Sequence, residues 1–322
     1  MTPTEPKEPP MLAIVAPCFN EEAVLQSSID KLRSKVEQLS TDGVIHKSSF
    51  CLLVDDGSTD QTWPMILAFS QEYPNVEGLK LSANVGHQAA LFAGLQEVAD
   101  KCDCCVSIDI DLQDDINVID EMIFGLENGY SIVLGVRNNR EADSFFKRQS
   151  ANLYYRTARV LGVDLIPHHA DFRLLSQKAL QDLLAFQEQN LFLRATPALL
   201  SQSIKTVEYT RLERSAGESK YPVLKMLALA WSGISSFSVW PLRLITVVGT
   251  FTAFSSLMLG VVTILLWLMG STVQGWTSLM LVMAFFFSLI LLSLAIIGEY
   301  LAKIYLESTG RPRFFVDKTT ID

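Results

Sequence analysis

Cys104-Cys105-Val106-Ser107-Ile108-Asp109-Ile110-Asp111-Leu112-Gln113-Asp114 is the stretch on which the fold turns. Cys104 to Ile108 is a short apolar run of the kind that forms a buried strand. Polar side chains follow it at alternate positions. In extended backbone alternate residues point to the same side, so Asp109, Asp111 and Gln113 are expected to converge as oxygen ligands. Such a set suits a hard divalent cation, Mg²⁺ or Mn²⁺, that is shared with substrate phosphates. A bare D-x-D also occurs in ordinary acidic turns, and its place after an apolar strand is what distinguishes it. Asp114 and Asp115 are expected to cap the next helix.

Outward from this stretch the pattern repeats. Met11–Pro17, Phe50–Val54, Val76–Leu81 and Ser131–Val136 read as further buried strands. Glu21–Leu39, a segment through Met65, Ile66 and Phe69, Gly86–Val98 and Ile116–Leu126 carry helical spacing. Apolar strands alternating with helices predict an α/β, Rossmann-like and mainly parallel sheet covered on both faces. Ligands of such sheets lie beyond the carboxyl ends of the strands. Those ends are polar throughout: Asn20-Glu21, Asp55-Asp56, Asn84, Asp109 with Asp111, and Arg137. Asn20-Glu21 and Asp55-Asp56-Gly57-Ser58 could accept hydrogen bonds from a nucleoside base or ribose, or could cap helices through Asn20 and Ser58 or Thr59. The sequence contains no G-x-G-x-x-G after the first strand and no G-x-x-x-x-G-K-[ST], which excludes the usual dinucleotide oxidoreductases and P-loop NTPases.

Of the 322 residues 49% are hydrophobic and only 19% charged, with mean hydropathy +0.26. The deficit of charge is local: Leu244 to Gly298 contains no Asp, Glu, Lys, Arg or His. Leu244–Met269 and Trp276–Gly298 are each long enough to span about 30 Å of hydrocarbon. Joined by the short Gly270–Gly275 link, they form an expected transmembrane hairpin. Arg243 before it and Lys303, Arg311 and Arg313 after it place the catalytic part and both termini in the cytoplasm, at the plasma (inner) membrane, by the positive-inside rule. The domain organisation expected is a flexible tail over 1–10, a catalytic domain over 11–220, juxtamembrane helices over 221–243, the two spans within 244–300, and a cytoplasmic tail over 301–322. Phe145–Leu161 groups Arg148, Arg156 and Arg159 on one side of a helix, which suits either an anionic membrane surface or a solvated face of a core-packed helix. A net charge of −9 argues against nucleic acid as a partner. The five cysteines lack zinc spacing and read as small apolar residues of buried strands in a reducing compartment.

Six motifs then carry a resemblance. Ala16-Pro17-Cys18-Phe19-Asn20-Glu21-Glu22, Val54 to Asp60 and Asp109 to Asp114 resemble the family 2 glycosyltransferases of the GT-A fold. Leu81 to His87, Ala170-Asp171-Phe172-Arg173 and Arg214 to Tyr221, together with the hairpin, resemble the polyprenyl-phosphate branch of that family, which includes bactoprenol glucosyltransferases and dolichol-phosphate mannose synthase. The resemblance implies transfer of a hexose, glucose first among them, from a nucleotide sugar to polyprenyl phosphate, with a homo-oligomer, a tetramer, as the assembly. It implies that Pro17, Phe19, Glu21 and Asp56 hold base and ribose, with Asp109 beside the ribose or metal. Asp111 and Gln113 would bind the metal on the diphosphate. Arg137, Arg214 and Lys220 would grip phosphates, Ser144 would lie near the lipid phosphate, and Asp171 would sit at the sugar and acceptor. Ala83, Ala170 and Asp115 depart from the family pattern, where Arg, Gly and Pro are usual. A processive polysaccharide synthase would have more spans and a Q-x-x-R-W motif, which the sequence lacks. A non-catalytic membrane scaffold would not be expected to retain Asp111, Gln113, Asp171 and Lys220.

Overall fold

The structure is a computed structural model that describes residues 8–138, 169–188, 191, 193–200, 203–210, 240–269 and 275–321. The chain divides into two compact units. One contains a mixed eight-stranded sheet. Its strands are β1 (Leu12–Cys18), β2 (Phe50–Asp55), β3 (Val76–Leu81), β4 (Cys104–Ser107), β5 (Ile132–Arg137), β6 (His169–Ser176), β7 (Ile204–Tyr209) and β8 (Val316–Thr319). Their spatial order is β7-β5-β6-β4-β1-β2-β3-β8. All pairs are parallel except those made by β6 with β4 and β5, and by β8 with β3. Helices α1 (Glu22–Thr41), α2 (Thr62–Glu72), α3 (His87–Val98), α4 (Ile119–Glu127), α5 (Gln177–Leu184) and the single turn α6 (Thr196–Leu199) complete this unit.

The uniformly apolar strands are explained by burial on both faces. Leu12, Ile14, Ala16 and Cys18 of β1 enter one core with Leu25, Ile29, Leu32 and Val36 of α1. The intervening Ala13 and Val15 enter a second core with Ala90, Leu91 and Leu95 of α3. A Cβ on Gly94 would meet Val15 Cγ1 at 2.5 Å and Val54 Cγ2 at 2.6 Å, so glycine is what lets α3 lie close against the sheet. All five cysteines are buried, and burial pushes the Cys51 and Cys102 thiols up to about 12.

Three strands were absent from the sequence reading. β6 breaks the parallel pattern by inserting antiparallel between β4 and β5, with Ser107 opposite Arg173 and Leu134 also opposite Arg173. β7 pairs parallel with β5. β8 lies within the segment read as a C-terminal tail over 301–322, and there the chain returns to the sheet and covers the edge of β3.

The other unit holds α7 (Trp240–Leu268) and α8 (Trp276–Ser308). Leu242–Leu266 and Phe285–Ser308 are long and apolar enough to cross a membrane. Their apolar side chains are exposed, as at Phe251 and Leu257. The Thr250, Thr263 and Ser293 hydroxyls donate to carbonyls four residues back at 2.8 Å, which satisfies them within their own helix. Residues 1–7, the basic Phe145–Leu161 segment, most of 221–243 and the 270–274 link lie outside the described residues.

Candidate active site at the carboxyl edge of the sheet

The first two strand ends interlock. Asn20 adopts a left-handed conformation (φ 54°), which asparagine tolerates. Its N–H donates to Ser58 Oγ at 3.0 Å, and its Oδ1 accepts from Thr59 N at 2.9 Å. Glu21 N donates to Thr62 Oγ1 at 2.9 Å, and Gln61 N to Glu22 Oε2 at 3.0 Å. Asn20, Ser58 and Thr59 therefore tie the two loops together instead of capping their own helices, because the parallel pairing of β1 and β2 brings the loops within reach. Pro17 is buried inside β1 opposite Val54. Phe19 stands exposed at the rim.

Asp56 uses both carboxylate oxygens on backbone. It accepts from Val85 N at 2.8 Å and Gly86 N at 3.0 Å, and so holds the loop between β3 and α3. Burial raises the Asp56 carboxyl above its ordinary value, and those two N–H groups work against the rise. Gly57 (φ 68°) lies under the same loop: a Cβ there would stand 2.6 Å from Asn84 N and 2.7 Å from Ala83 C.

The acidic motif is grouped by a turn, not by strand alternation. β4 ends at Ser107, Leu112 N donates to Asp109 O at 3.1 Å, and buried Leu112 takes a left-handed φ of 45°. Gln113 Nε2 then donates to Asp111 Oδ2 at 2.7 Å. Gln113 thereby orients the Asp111 carboxylate through its amide nitrogen. His87 Nε2 lies 3.3 Å from Asp109 Oδ1. Asp115 caps the next turn by accepting from Asn117 N at 3.0 Å, as expected. Asp114 does not. Buried, it accepts from Tyr209 OH at 2.6 Å and Arg137 Nη2 at 3.2 Å, because the sheet places the ends of β5 and β7 beside it.

Asp171 on β6 is the most heavily paired carboxylate of this edge. It is 3% exposed, and Arg194 reaches it through Nη2 at 2.9 Å and Nε at 3.3 Å. His87 Nε2 lies 3.6 Å from its Oδ2, and Nη2 of the buried Arg173 lies 3.9 Å from its Oδ1. Burial would drive the Asp171 carboxyl up. The His87 hydrogen bond and the Arg194 and Arg173 charges win, and hold it well below the usual carboxylate range. His87 moves the other way: burial would lower it, but Asp171 and Asp109 raise it above its ordinary value. Burial also raises Asp109; His87 works against the rise, and repulsion from Asp171, Asp114 and Asp111 adds to it. His169 Nε2 contacts Arg194 O at 2.8 Å, which fixes the segment that carries Arg194.

Among the described residues no three His, Cys, Asp or Glu side chains form a ready-made metal cage. Asp109 Oδ1 is buried and accepts no hydrogen bond among those residues. With Asp111 it offers hard carboxylate donors of the kind that suit a divalent cation sharing its remaining sites with a diphosphate. The residues present fit such an ion.

The model for "Glycosyl transferase family 2" matches residues 13–184, which span this sheet edge from β1 to α5. The chain belongs to glycosyl transferase family 2. It is 44% identical over 308 residues, 96% of this chain and 91% of that protein, to "Uncharacterized glycosyltransferase YkoT" of Bacillus subtilis (strain 168). It is 33% identical over 310 residues, 96% of this chain and 98% of that protein, to "SfII prophage-derived bactoprenol glucosyl transferase" of Shigella flexneri. Among solved structures, glucosyl-3-phosphoglycerate synthase from Mycobacterium tuberculosis matches with a TM-score of 0.45 and 19% identity, over 71% of this chain and 79% of that one.

Of the residues singled out in this family 2 sequence, Pro17, Phe19, Glu21, Asp56, Asp109, Asp111, Gln113, Arg137 and Asp171 all lie on strands or loops of the catalytic unit. Ser144, Arg214 and Lys220 lie outside the described residues. His87, Arg194 and Tyr209 were missed. His87 closes a motif already quoted, and a polar residue directly after the glycine that precedes a helix was a usable signal. Arg194 left only a faint one, a single charge within Leu191 to Ala195.

Proposed function

We propose that this family 2 glycosyltransferase transfers a hexose, glucose first among the candidates, from a nucleotide sugar, UDP-linked in the leading reading, to polyprenyl phosphate, with inversion at the anomeric carbon. The near end-to-end similarity to a protein named a bactoprenol glucosyl transferase supports the reaction class. That similarity is the observation that carries the acceptor class, and the pairing of Asp171 agrees with it. A carboxylate paired with His87 and Arg194 and held far below its ordinary range is too weak a base to deprotonate a hydroxyl acceptor near pH 7. A phosphate monoester has a second pKa of about 6 and arrives already nucleophilic. Asp171 therefore orients the sugar or acceptor and takes no proton.

Pro17, Phe19 and Glu21 line the nucleoside end in this reading, and Asp56 acts through the loop it holds. Asp109 and Asp111 would hold Mg²⁺ or Mn²⁺, which when bound neutralises the departing diphosphate. Gln113 sets the Asp111 carboxylate. Arg137, oriented by Asp114 and Tyr209, faces the incoming phosphate charge, and Arg offers a planar fork for it. Ser144, Arg214 and Lys220 join that task on motif resemblance alone. The sugar cation-like transition state is reached by in-line attack of the phosphate oxygen. The two apolar helices keep the catalytic unit at the bilayer, with that unit and both termini cytoplasmic at the plasma membrane, and the assembly is a homo-oligomer, a tetramer by resemblance. Mannose, aminoarabinose and N-acetylhexosamine are the alternative sugars.

The test is transfer of radiolabel from a panel of sugar nucleotides into chloroform-soluble lipid with undecaprenyl phosphate. One donor should label the lipid, excess EDTA should abolish transfer, and Asp111→Asn should lose transfer while still folding. Absence of labelling from every donor would sink the acceptor assignment, and full activity in EDTA would sink the metal.

A further inference from the structure

We propose that the segment following the second apolar helix, Arg313 to Ile321, is a positioning element of the transfer site, with Arg313 as its key side chain. The inference rests on the reading of the Asp171 cluster as that site. Asp171 is held by two partners from distant parts of the chain. His87 begins α3, and Arg194 lies in the segment between α5 and α6. Arg313 touches both of these segments. Its guanidinium carbon lies 4.0 Å from the ring centroid of Phe92, inside the second turn of α3. Its Nη2 donates at 2.6 Å to the carbonyl of Phe186, just beyond α5. The same two segments meet once more where Leu193 N donates to Gln88 Oε1 at 3.4 Å. Arg313 therefore pins the support of His87 to the support of Arg194.

The rest of the segment reaches the start of the loop between β3 and α3. β8 pairs with β3 through Leu79 opposite Thr319 and Lys80 opposite Lys318. Ser82, the first residue after β3, donates to Phe315 O through N at 2.9 Å and through Oγ at 3.1 Å. From Ser82 the chain passes over Gly57, is held by Asp56 at Val85 and Gly86, and arrives at His87. One end of the loop is thus set by the C-terminal strand and the other by Asp56. The stack on Phe92 combined with a hydrogen bond to a carbonyl demands a planar, rigid donor, which lysine does not supply. Positions of this kind act through geometry, where about 1 Å of displacement can lower a rate a hundredfold.

The full-length protein in detergent, with Arg313→Ala and Arg313→Lys variants, tests this. Arg313→Ala should lower kcat tenfold or more, with KM for the sugar nucleotide within twofold of wild type and the folded fraction at assay temperature unchanged. Arg313→Lys should recover only part of the loss. Hydrogen exchange should quicken in residues 84–92 and 193–200 of Arg313→Ala and stay unchanged in β1 and β2. A kcat within twofold of wild type, a loss of activity matched by loss of folded protein, or full recovery by lysine would overturn the proposal. If wild type labels no lipid from any donor, the acceptor assignment fails by itself. Hydrogen exchange then decides this inference, and unchanged exchange at 84–92 and 193–200 refutes it.

Discussion

Gly57→Ala tests whether the loop between β3 and α3 is seated by direct backbone contact, and Gly43→Ala is its natural control. Both glycines have left-handed φ, 68° and 72°, so each alanine incurs the same conformational penalty of about 1–2 kcal/mol. They differ in surroundings. A Cβ at Gly43 meets nothing within 4 Å, whereas at Gly57 it stands 2.6 Å from Asn84 N and 2.7 Å from Ala83 C. Both obstructing atoms are backbone, so no rotamer change relieves the clash, and the loop must move by several tenths of an ångström. Overpacking of this kind adds about 1–3 kcal/mol. Gly57→Ala should therefore lose about 3 kcal/mol and Gly43→Ala about 1 kcal/mol. In a domain of this size that corresponds to melting temperatures lower by roughly 6–12 °C and 2–4 °C. The displaced loop carries the N–H groups bound by Asp56 and ends at His87, so only Gly57→Ala should also lower the transfer rate of the protein that remains folded. Thermal melts in detergent and initial rates of lipid labelling measure the two effects. Equal melting temperatures for the two variants, or an unchanged rate in Gly57→Ala, would refute the claim that this contact seats the loop.

Two other outcomes follow from the Asp171 cluster. Asp171→Asn leaves Arg173, 1% exposed, without its carboxylate neighbour; a buried charge stripped of its partner destabilises by about 3–5 kcal/mol, so the melting temperature should fall far more than in an Asp115→Asn control, and equal falls would contradict the pairing. His87 has a folded pKa raised above its ordinary 6.5, so its pairing contributes stability in full below about pH 6.5 and loses it as pH rises through the raised folded value; wild type should lose melting temperature across that rise, and His87→Gln should lose less, with parallel pH curves counting against the contact.

Strands β1, β2 and β4 were legible because burial on both faces makes a strand almost uniformly apolar, and Leu12 to Cys18 or Phe50 to Val54 carries that signal without help from distant residues. β6 was hidden because it buries His169, Asp171 and Arg173, three side chains that a composition rule sends to the surface. Their acceptability depends on Arg194, His87 and the Leu193 carbonyl, none of which is near in sequence. β8 was hidden for the opposite reason: its four residues are exposed, and backbone pairing to β3 holds it with no apolar pattern to read. At the site, residue types were visible and roles less so. Asp109, Asp111 and Gln113 were visible as residue types, but the left-handed turn at Leu112, the hydrogen bond from Gln113 to Asp111 and the closeness of His87 to Asp109 were not. Asp114 read as a helix cap because its partners, Arg137 and Tyr209, arrive only through the pairing of β5 with β7.

The position of β8 sets an order of events during synthesis. Its residues follow both long apolar helices in the chain, so they leave the ribosome after those helices have been made. Until then β3 is an open edge, Ser82 lacks the Phe315 carbonyl, and Phe92 lacks Arg313. Unpaired edges are where nascent sheets aggregate or mispair. A chain interrupted after α6, or even after α8, would carry the acidic motif and Asp171 yet lack the strand that covers the edge of β3. Completion of the eight-stranded sheet is thereby delayed until both long apolar helices have been made.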